Sequence, residues 1–252
     1  MTVSEAGLTS TIPVSEVYGP VIQGEGAVIG VPTVFVRLGG CDYHCSWCDS
    51  LYAVEVKYKD TWESLTPVQI LERVSTLAGP GCLITLSGGN PALHRLAPLI
   101  EGGHDLGYRF AIETQGSRIP SWVARLDHIT LSPKPPSSLM KTNWRWLERW
   151  LELATENHIE RCLKVVVFDE DDYRYAEEVR NMALRWKCPM YLQAGTSNPY
   201  ISTDSPARMA NFRNAILERT DWLSQRVLTD KWYDVRVLPQ MHALLYGAKR
   251  GV

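Results

Sequence analysis

Short β-branched runs alternating with longer amphipathic stretches leave this chain few folds to choose from. Residues 33–38, 83–87, 109–114, 129–132, 163–168 and 190–193 are compact apolar runs, the pattern of strands buried on both faces. Between them, residues 66–77 open with Thr66, then Pro67 at the first helical position and Gln69 at the third, the order of signals of a capped helix start. Residues 144–157, 171–186 and 206–227 also read as helices. Six strands separated by helices predict an α/β fold, with a mostly parallel sheet and the helices outside it. Ligands of such sheets collect in the loops at the carboxyl ends of the strands.

No internal repeat, low-complexity segment or Gly/Pro/Ser-rich linker interrupts the pattern, so residues 1–252 are expected to form one domain, with a flexible leader over 1–12. A chain of this length buries about three quarters of its extended surface and needs no disulfide or metal merely to fold. Its 26 Lys and Arg against 28 Asp and Glu give a net charge of -2. That lacks the positive excess on which binding to a nucleic-acid backbone draws. No run of about 18 apolar residues is present, so no membrane span is expected. The opening MTVSEAGLTSTI has neither the basic start nor the apolar core of a secretory signal. A reducing cytoplasm is the expected location, where thiols serve metals or chemistry rather than bridges.

Three of the six cysteines, Cys41, Cys45 and Cys48, fall within one short loop directly after the first predicted strand. Iron–sulfur clusters commonly take four thiolates, so three would leave one iron open to a small molecule. A structural zinc site of Cys3His type, with His44 as fourth ligand, is the competing reading. Zinc ligands usually come as two separated pairs, and no second CxxC exists in the chain. His44, between two of the cysteines, would struggle to turn inward. The spacing favours the open cluster and leaves zinc standing.

CxxxCxΦC with an aromatic residue, Trp47, before the last cysteine resembles the cluster motif of the radical S-adenosylmethionine enzymes. The resemblance implies a [4Fe-4S] cluster on Cys41, Cys45 and Cys48, with S-adenosylmethionine on its open iron as the source of a 5′-deoxyadenosyl radical. Ser87-Gly88-Gly89-Asn90-Pro91 resembles the superfamily's GGEP-type segment, with Asn90 where Glu is more usual. Further segments are similar to one branch, the 7-carboxy-7-deazaguanine synthases. These are Ile22-Gln23-Gly24-Glu25-Gly26, Arg37, Asp49-Ser50, Glu113-Thr114-Gln115-Gly116, Ser132-Pro133-Lys134, and a tail from Val237-Leu238-Pro239-Gln240-Met241-His242 to Lys249-Arg250-Gly251-Val252. The similarity runs from about residue 13 to the end of the chain. It implies a partial, abbreviated (βα)6-type barrel whose C-terminal extension, 228–252, closes the substrate site.

The implied reaction converts 6-carboxy-5,6,7,8-tetrahydropterin to 7-carboxy-7-deazaguanine with loss of ammonia, in queuosine and 7-deazapurine biosynthesis. The resemblance assigns substrate contacts to Ile22, Gln23, Gly24, Arg37, Ser87, Glu113 and His242. Arg37 suits a carboxylate, because guanidinium matches its two oxygens in a fork. Glu113 suits the amino and ring N–H donors of a pterin. Gly89, Ser132, Pro133, Lys134 and Gln193 align with contacts to S-adenosylmethionine, although Gln193-Ala194-Gly195 departs from the family's Gln-Pro pattern. Ser50 takes the place of a hydroxyl residue that ligates Mg²⁺, often Thr in relatives; as an isolated residue it reads equally as a helix N-cap. A homodimer and an electron donor such as flavodoxin or ferredoxin are also implied. No side chain is identified as the principal catalyst.

Cys82, Cys162 and Cys188 lie in or beside apolar runs and read as small buried hydrophobes. Trp144, Trp146 and Trp150 read as core or subunit contact, and the acidic run 169–172 as a solvated helix start. Two rivals stand beside the main reading. One is a radical activase acting on a partner protein's glycine; the other is a non-enzymatic zinc module.

Overall fold

The computed structural model describes residues 9–196 and 200–251. Residues 1–8 of the expected leader, and Val252 of the tail, lie outside the described residues; Ile12, at the leader's other end, is buried in the first strand. The elements in chain order are β1 (Ile12–Ile22), β2 (Pro32–Leu38), α1 (Leu51–Val54), β3 (Glu63–Leu65), α2 (Pro67–Leu77), β4 (Leu83–Gly88) and α3 (Ala97–Asp105). They continue with β5 (Arg109–Thr114), β6 (His128–Leu131), α4 (Trp144–Glu156), β7 (Glu160–Val167), α5 (Glu170–Arg185), β8 (Met190–Ala194), α6 (Pro206–Thr229), β9 (Val235–Leu238) and α7 (Met241–Tyr246).

One open sheet runs in the order β3-β1-β2-β4-β5-β6-β7-β8-β9. From β2 to β9 every neighbouring pair is parallel, whereas β1 is antiparallel to both β2 and β3. The six strands foreseen in the sequence are β2 and β4 to β8, side by side in that order, and the chain therefore has the α/β partial barrel expected of it. Three further strands extend the sheet. β1 hides in the sequence because Gly19-Pro20 interrupts its pattern; the register with β2 shifts between Tyr18 and Val21, where a missing N–H costs no ladder bond. β9 is only four residues long.

The helices form where local chemistry permits. Thr66 and Gln69 satisfy each other's orphan backbone N–H groups in a capping box at the start of α2, whose Ile70, Leu71 and Val74 enter the core. Asn143 caps α4 and Asp169 caps α5 through their side chains. Trp150 is wholly buried, its indole N–H bonded to the Arg118 carbonyl at 2.9 Å, while Trp144 is half-buried against Tyr175. Only Trp146 of the three remains on the surface, 38% exposed. Cys162 and Cys188 are core residues as expected; Cys82 is only half-buried. The acidic run departs from expectation at one position. Asp172 is fully buried instead of solvated, and it ties α5 to the chain after β6.

Candidate active site

The cysteine loop leaves β2 through Gly39 and Gly40 and is held from two sides. On one side it packs against the end of β4: Gly89 donates to the Leu38 carbonyl at 2.9 Å, and Asn90 donates from its backbone to Gly40 at 2.8 Å. A Cβ at Gly89 would lie 2.0 Å from the Gly40 carbonyl oxygen, so the absent side chain is what lets the two segments meet. On the other side, Ser46 donates from its backbone to Ser138 at 3.1 Å, and the Trp47 indole N–H donates to Ser137 Oγ at 2.9 Å. Ser137 in turn gives its hydroxyl to Asp172 at 2.6 Å. A chain of bonds from Asp172 through Ser137 to Trp47 thus fixes the aromatic residue of the CxΦC segment.

Cys41, Cys45 and Cys48 all line one cleft of about 260 Å³ at the carboxyl end of the sheet. Burial pushes all three thiols up; for Cys48, with Asp49 adding to it, to about 12. Only a cation among the sulfurs would draw these protons off, which is how metal binding works against thiol acidity. The Tyr43 backbone N–H at 3.4 Å and the Gln115 amide at 3.7 Å both point at Cys41 Sγ, donors that favour a charged sulfur. This donor set fits an iron–sulfur cluster. It does not fit Cys3His zinc: the His44 side chain is 65% exposed, with Nε2 3.4 Å from Glu55. Among the described residues no three His, Cys, Asp or Glu side chains gather closely enough to hold a single metal ion.

The wall formed by β1 and β2 is polar and densely bonded. Arg37 donates from Nε to Glu16 at 2.8 Å, from Nη1 to Ser50 Oγ at 3.0 Å and from Nη2 to the Tyr18 hydroxyl at 2.8 Å. Three of its five N–H donors are used in these bonds, leaving two for a ligand. Burial opposes its charge, but Tyr18, Tyr52 and Glu16 more than offset this, and the guanidinium stays ionised. Ser50 precedes α1 without capping it through its side chain; its hydroxyl donates instead to Asp49 at 2.8 Å. One hydroxyl and one carboxylate oxygen on the cleft are the donors a hard cation such as Mg²⁺ prefers.

The opposite wall carries a buried group of charges. Lys164, 4% exposed on β7, forms ion pairs with Glu25 and, at 3.6 Å, with Glu113. Gln23 donates to Glu113 Oε1 at 2.5 Å and accepts from the Glu25 backbone at 2.8 Å. Its amide is therefore committed within the protein. Gln240 donates to Glu25 at 2.8 Å, and His242 Nδ1 lies 3.8 Å from the same oxygen. Burial works against ionisation of Glu25, but Lys164, then His242 and Gln240, outweigh it and hold its carboxyl at about 2. Gly24 admits the tail: a Cβ there would meet the His242 backbone N and ring Nδ1 at 2.8 Å each.

No protein-family model matches the chain. A 7-carboxy-7-deazaguanine synthase from Bacillus cereus is 41% identical over 246 residues, which cover 96% of this chain and 100% of the relative. The chain belongs to the 7-carboxy-7-deazaguanine synthase family. The crystal structure of QueE from Escherichia coli shares the fold with a TM-score of 0.65 at 22% identity, over 92% of this chain and 95% of that one. A radical SAM methyltransferase from Sphaerobacter thermophilus does so with a TM-score of 0.52 at 16% identity, over 88% and 70% of the two chains.

Within this member of the 7-carboxy-7-deazaguanine synthase family, the cleft gathers most of the residues singled out from the sequence. Ile22, Gln23, Gly24, Arg37, Ser87, Glu113 and His242 line it, as do Gly89, Ser132, Lys134 and Ser50. Lys134 lies over the Trp47 ring, 5.5 Å from its centroid, and donates to Ser132 at 3.2 Å. Pro133 and Gln193 do not line the cleft; Gln193 is buried on β8, where its amide donates to the Leu238 carbonyl at 3.3 Å. Asn90 is also fully buried. It donates to Asp42 at 2.9 Å and Ser117 at 3.0 Å and accepts from Thr114 and Ala92, so its amide braces the cysteine loop rather than facing the cleft. Sequence reasoning missed Glu16, Tyr18, Tyr52 and Lys164. Tyr18 and Glu16 sit on the unforeseen β1, and Lys164 looked like a lone interruption of an apolar strand, which was the available signal.

Proposed function

We propose that this enzyme contracts the ring of 6-carboxy-5,6,7,8-tetrahydropterin to 7-carboxy-7-deazaguanine, with loss of ammonia, as a radical S-adenosylmethionine lyase of queuosine and 7-deazapurine biosynthesis. The observation that carries this reading is the meeting, in one cleft, of the three-cysteine loop with an arginine wall and a carboxylate wall, in a chain 41% identical to a 7-carboxy-7-deazaguanine synthase. A [4Fe-4S] cluster on Cys41, Cys45 and Cys48, with S-adenosylmethionine, supplies when bound the radical that takes a hydrogen atom from C6 of the substrate.

The protein's own part is to bind and orient. Arg37 offers its two remaining N–H donors to the substrate carboxylate from one side and His242 approaches from the other. Glu113 accepts from the amino and ring N–H groups, and the backbone at Ile22 and Gly24 lies along the same edge. Gln23 acts through Glu113, whose carboxylate it fixes. Gly89, Ser132, Pro133 and Lys134 serve S-adenosylmethionine, with Gln193 behind them. Ser50 with Asp49 holds Mg²⁺, which supplies positive charge beside the substrate carboxylate.

The chain works as a single domain. Residues 228–252 act as the closing extension: Arg250 reaches back to Glu16 at 3.0 Å and stacks 3.7 Å over the Tyr52 ring. A flavodoxin- or ferredoxin-type protein delivers the electron, the enzyme is a homodimer, and it works in the cytoplasm. Among the described residues no helix is long and apolar enough to cross a membrane, which is consistent with that location.

The test is one anaerobic reaction followed by mass spectrometry, containing cluster-loaded protein, a strong reductant, S-adenosylmethionine, Mg²⁺ and 6-carboxytetrahydropterin. The expected outcome is 7-carboxy-7-deazaguanine from the natural chain and none from Cys45→Ala. A cluster-loaded protein that cleaves S-adenosylmethionine without making this product would refute the substrate assignment.

A further inference from the structure

Lys164 is a charged side chain in the middle of an apolar strand, and none of the roles above uses it. Its ammonium is buried between two carboxylates that reach it from different parts of the fold, Glu25 from the segment after β1 and Glu113 from the end of β5. The two carboxylates are not equivalent. Glu25, 12% exposed, has both oxygens engaged, one by Lys164 and the other by Gln240. Glu113, 21% exposed, takes one bond from Gln23 and only the longer 3.6 Å contact from Lys164. A carboxylate offers about four acceptor positions, so Glu113 keeps capacity on the cleft side. One ammonium against two carboxylates leaves one negative charge, and the geometry puts it on the oxygen that faces the ligand.

We propose that Lys164 is a positioning residue that keeps Glu25 and Glu113 together as an ionised pair, and that this pair selects a ring edge that donates hydrogen bonds, the 2-amino-pyrimidinone edge, over one that accepts them. The proposal rests on the functional reading above and deepens it. Without the ammonium, two carboxylates share one dry wall, and such a pair takes up a proton far more readily than either alone. A pair holding a proton loses an acceptor and gains a donor, and its preference between ring edges fades. The other groups that face the triad are His242 on α7, Cys162 on β7, His128 on β6 and Tyr18 on β1. They are common to all the variants below, so the comparison rests on differences between variants.

The experiment measures binding without turnover, by calorimetry on anaerobic, cluster-loaded protein with S-adenosylmethionine and no reductant. The two probes are 6-carboxytetrahydropterin and its analogue with oxygen in place of the 2-amino group. The natural protein is expected to prefer the amino compound by at least roughly tenfold, because an acceptor facing an acceptor leaves both unpaired. Lys164→Met is expected to bind the amino compound roughly tenfold or more weakly, to lose most of the discrimination, and to fall further behind as pH decreases through the neutral range. Glu25→Gln combined with Lys164→Met leaves Glu113 as a lone carboxylate, and discrimination should return. A folding defect predicts the opposite order, since the double variant is the more altered protein. Unchanged discrimination in Lys164→Met, or additive losses in the double variant, would overturn the proposal. A natural protein that binds neither probe would bring down the functional reading and the triad with it.

Discussion

At the scale of single residues, the cleft is governed by charges that burial alone would not permit. Glu25 stays ionised because Lys164, His242 and Gln240 together outweigh its desolvation and bring its pKa from 4.5 to about 2. A folded-state value below the unfolded one means the carboxylate stabilises the fold above the ordinary carboxylate range. That contribution disappears as pH falls from about 4.5 toward about 2. Lys164 behaves in the opposite sense: its pKa is raised against burial by Glu113 and Glu25, so its contribution is present at neutral pH and is lost only as pH rises above the lysine range. Urea unfolding midpoints should therefore drop between neutral pH and about pH 3, and Glu25→Gln should show a smaller drop than the natural chain. The difference is expected to amount to a few kcal/mol at most, roughly what two units of pKa shift are worth.

At the scale of elements, the cysteine loop owes its shape to neighbours it does not touch in sequence. Asp172, in the first turn of α5, receives the Ser137 backbone N–H at 3.0 Å, its hydroxyl at 2.6 Å and the Phe168 N–H at 2.9 Å. Ser137 then holds Trp47 and Ser46. Replacing Asp172 with Ala strands three donors in a buried place, which should cost roughly 2–4 kcal/mol in chemical denaturation. The same variant should load less iron per chain than the natural protein, measured as iron and sulfide content, because Trp47 loses its anchor. From the sequence the run 169–172 read as a solvated helix start, and for Asp169 that holds: its side chain caps α5. Asp172 has the same chemistry and the same neighbours in sequence. Only the docking of α5 against the chain after β6 distinguishes it.

At the scale of the whole molecule, the substrate end of the cleft is assembled across almost the full length of the chain. Glu16 on β1 receives Arg37 from β2, the Tyr52 hydroxyl from α1 at 2.9 Å and Arg250 from the tail. Arg250 also covers the Tyr52 ring. Arg250→Ala should therefore raise KM for the tetrahydropterin about tenfold, with cluster absorbance unaltered and kcat changed little. Steady-state kinetics and the visible spectrum of the same sample check this. The mirror-image closure is at Gly24, where the missing side chain lets α7 approach and brings His242 beside Glu25.

The sequence by itself determined the layered α/β architecture, the six central parallel strands, the capped start of α2 and the cysteine loop. Each of these is written in a local signal: the period of apolar residues, a cap and its partner three residues apart, and three sulfurs within one loop. The family could be read for the same reason, from the joint order of short segments. Only the tertiary structure decided that β1 adds an antiparallel edge, because its pairing with β2 overrides the interruption at Gly19-Pro20. It also decided which polar residues face the cleft. Asn90 and Gln193 turn away into the protein, whereas Lys164 is drawn to the cleft wall by two carboxylates 139 and 51 residues distant. A buried charge is permitted only by the partners that fold brings to it, and those partners leave no trace in the residues next to it.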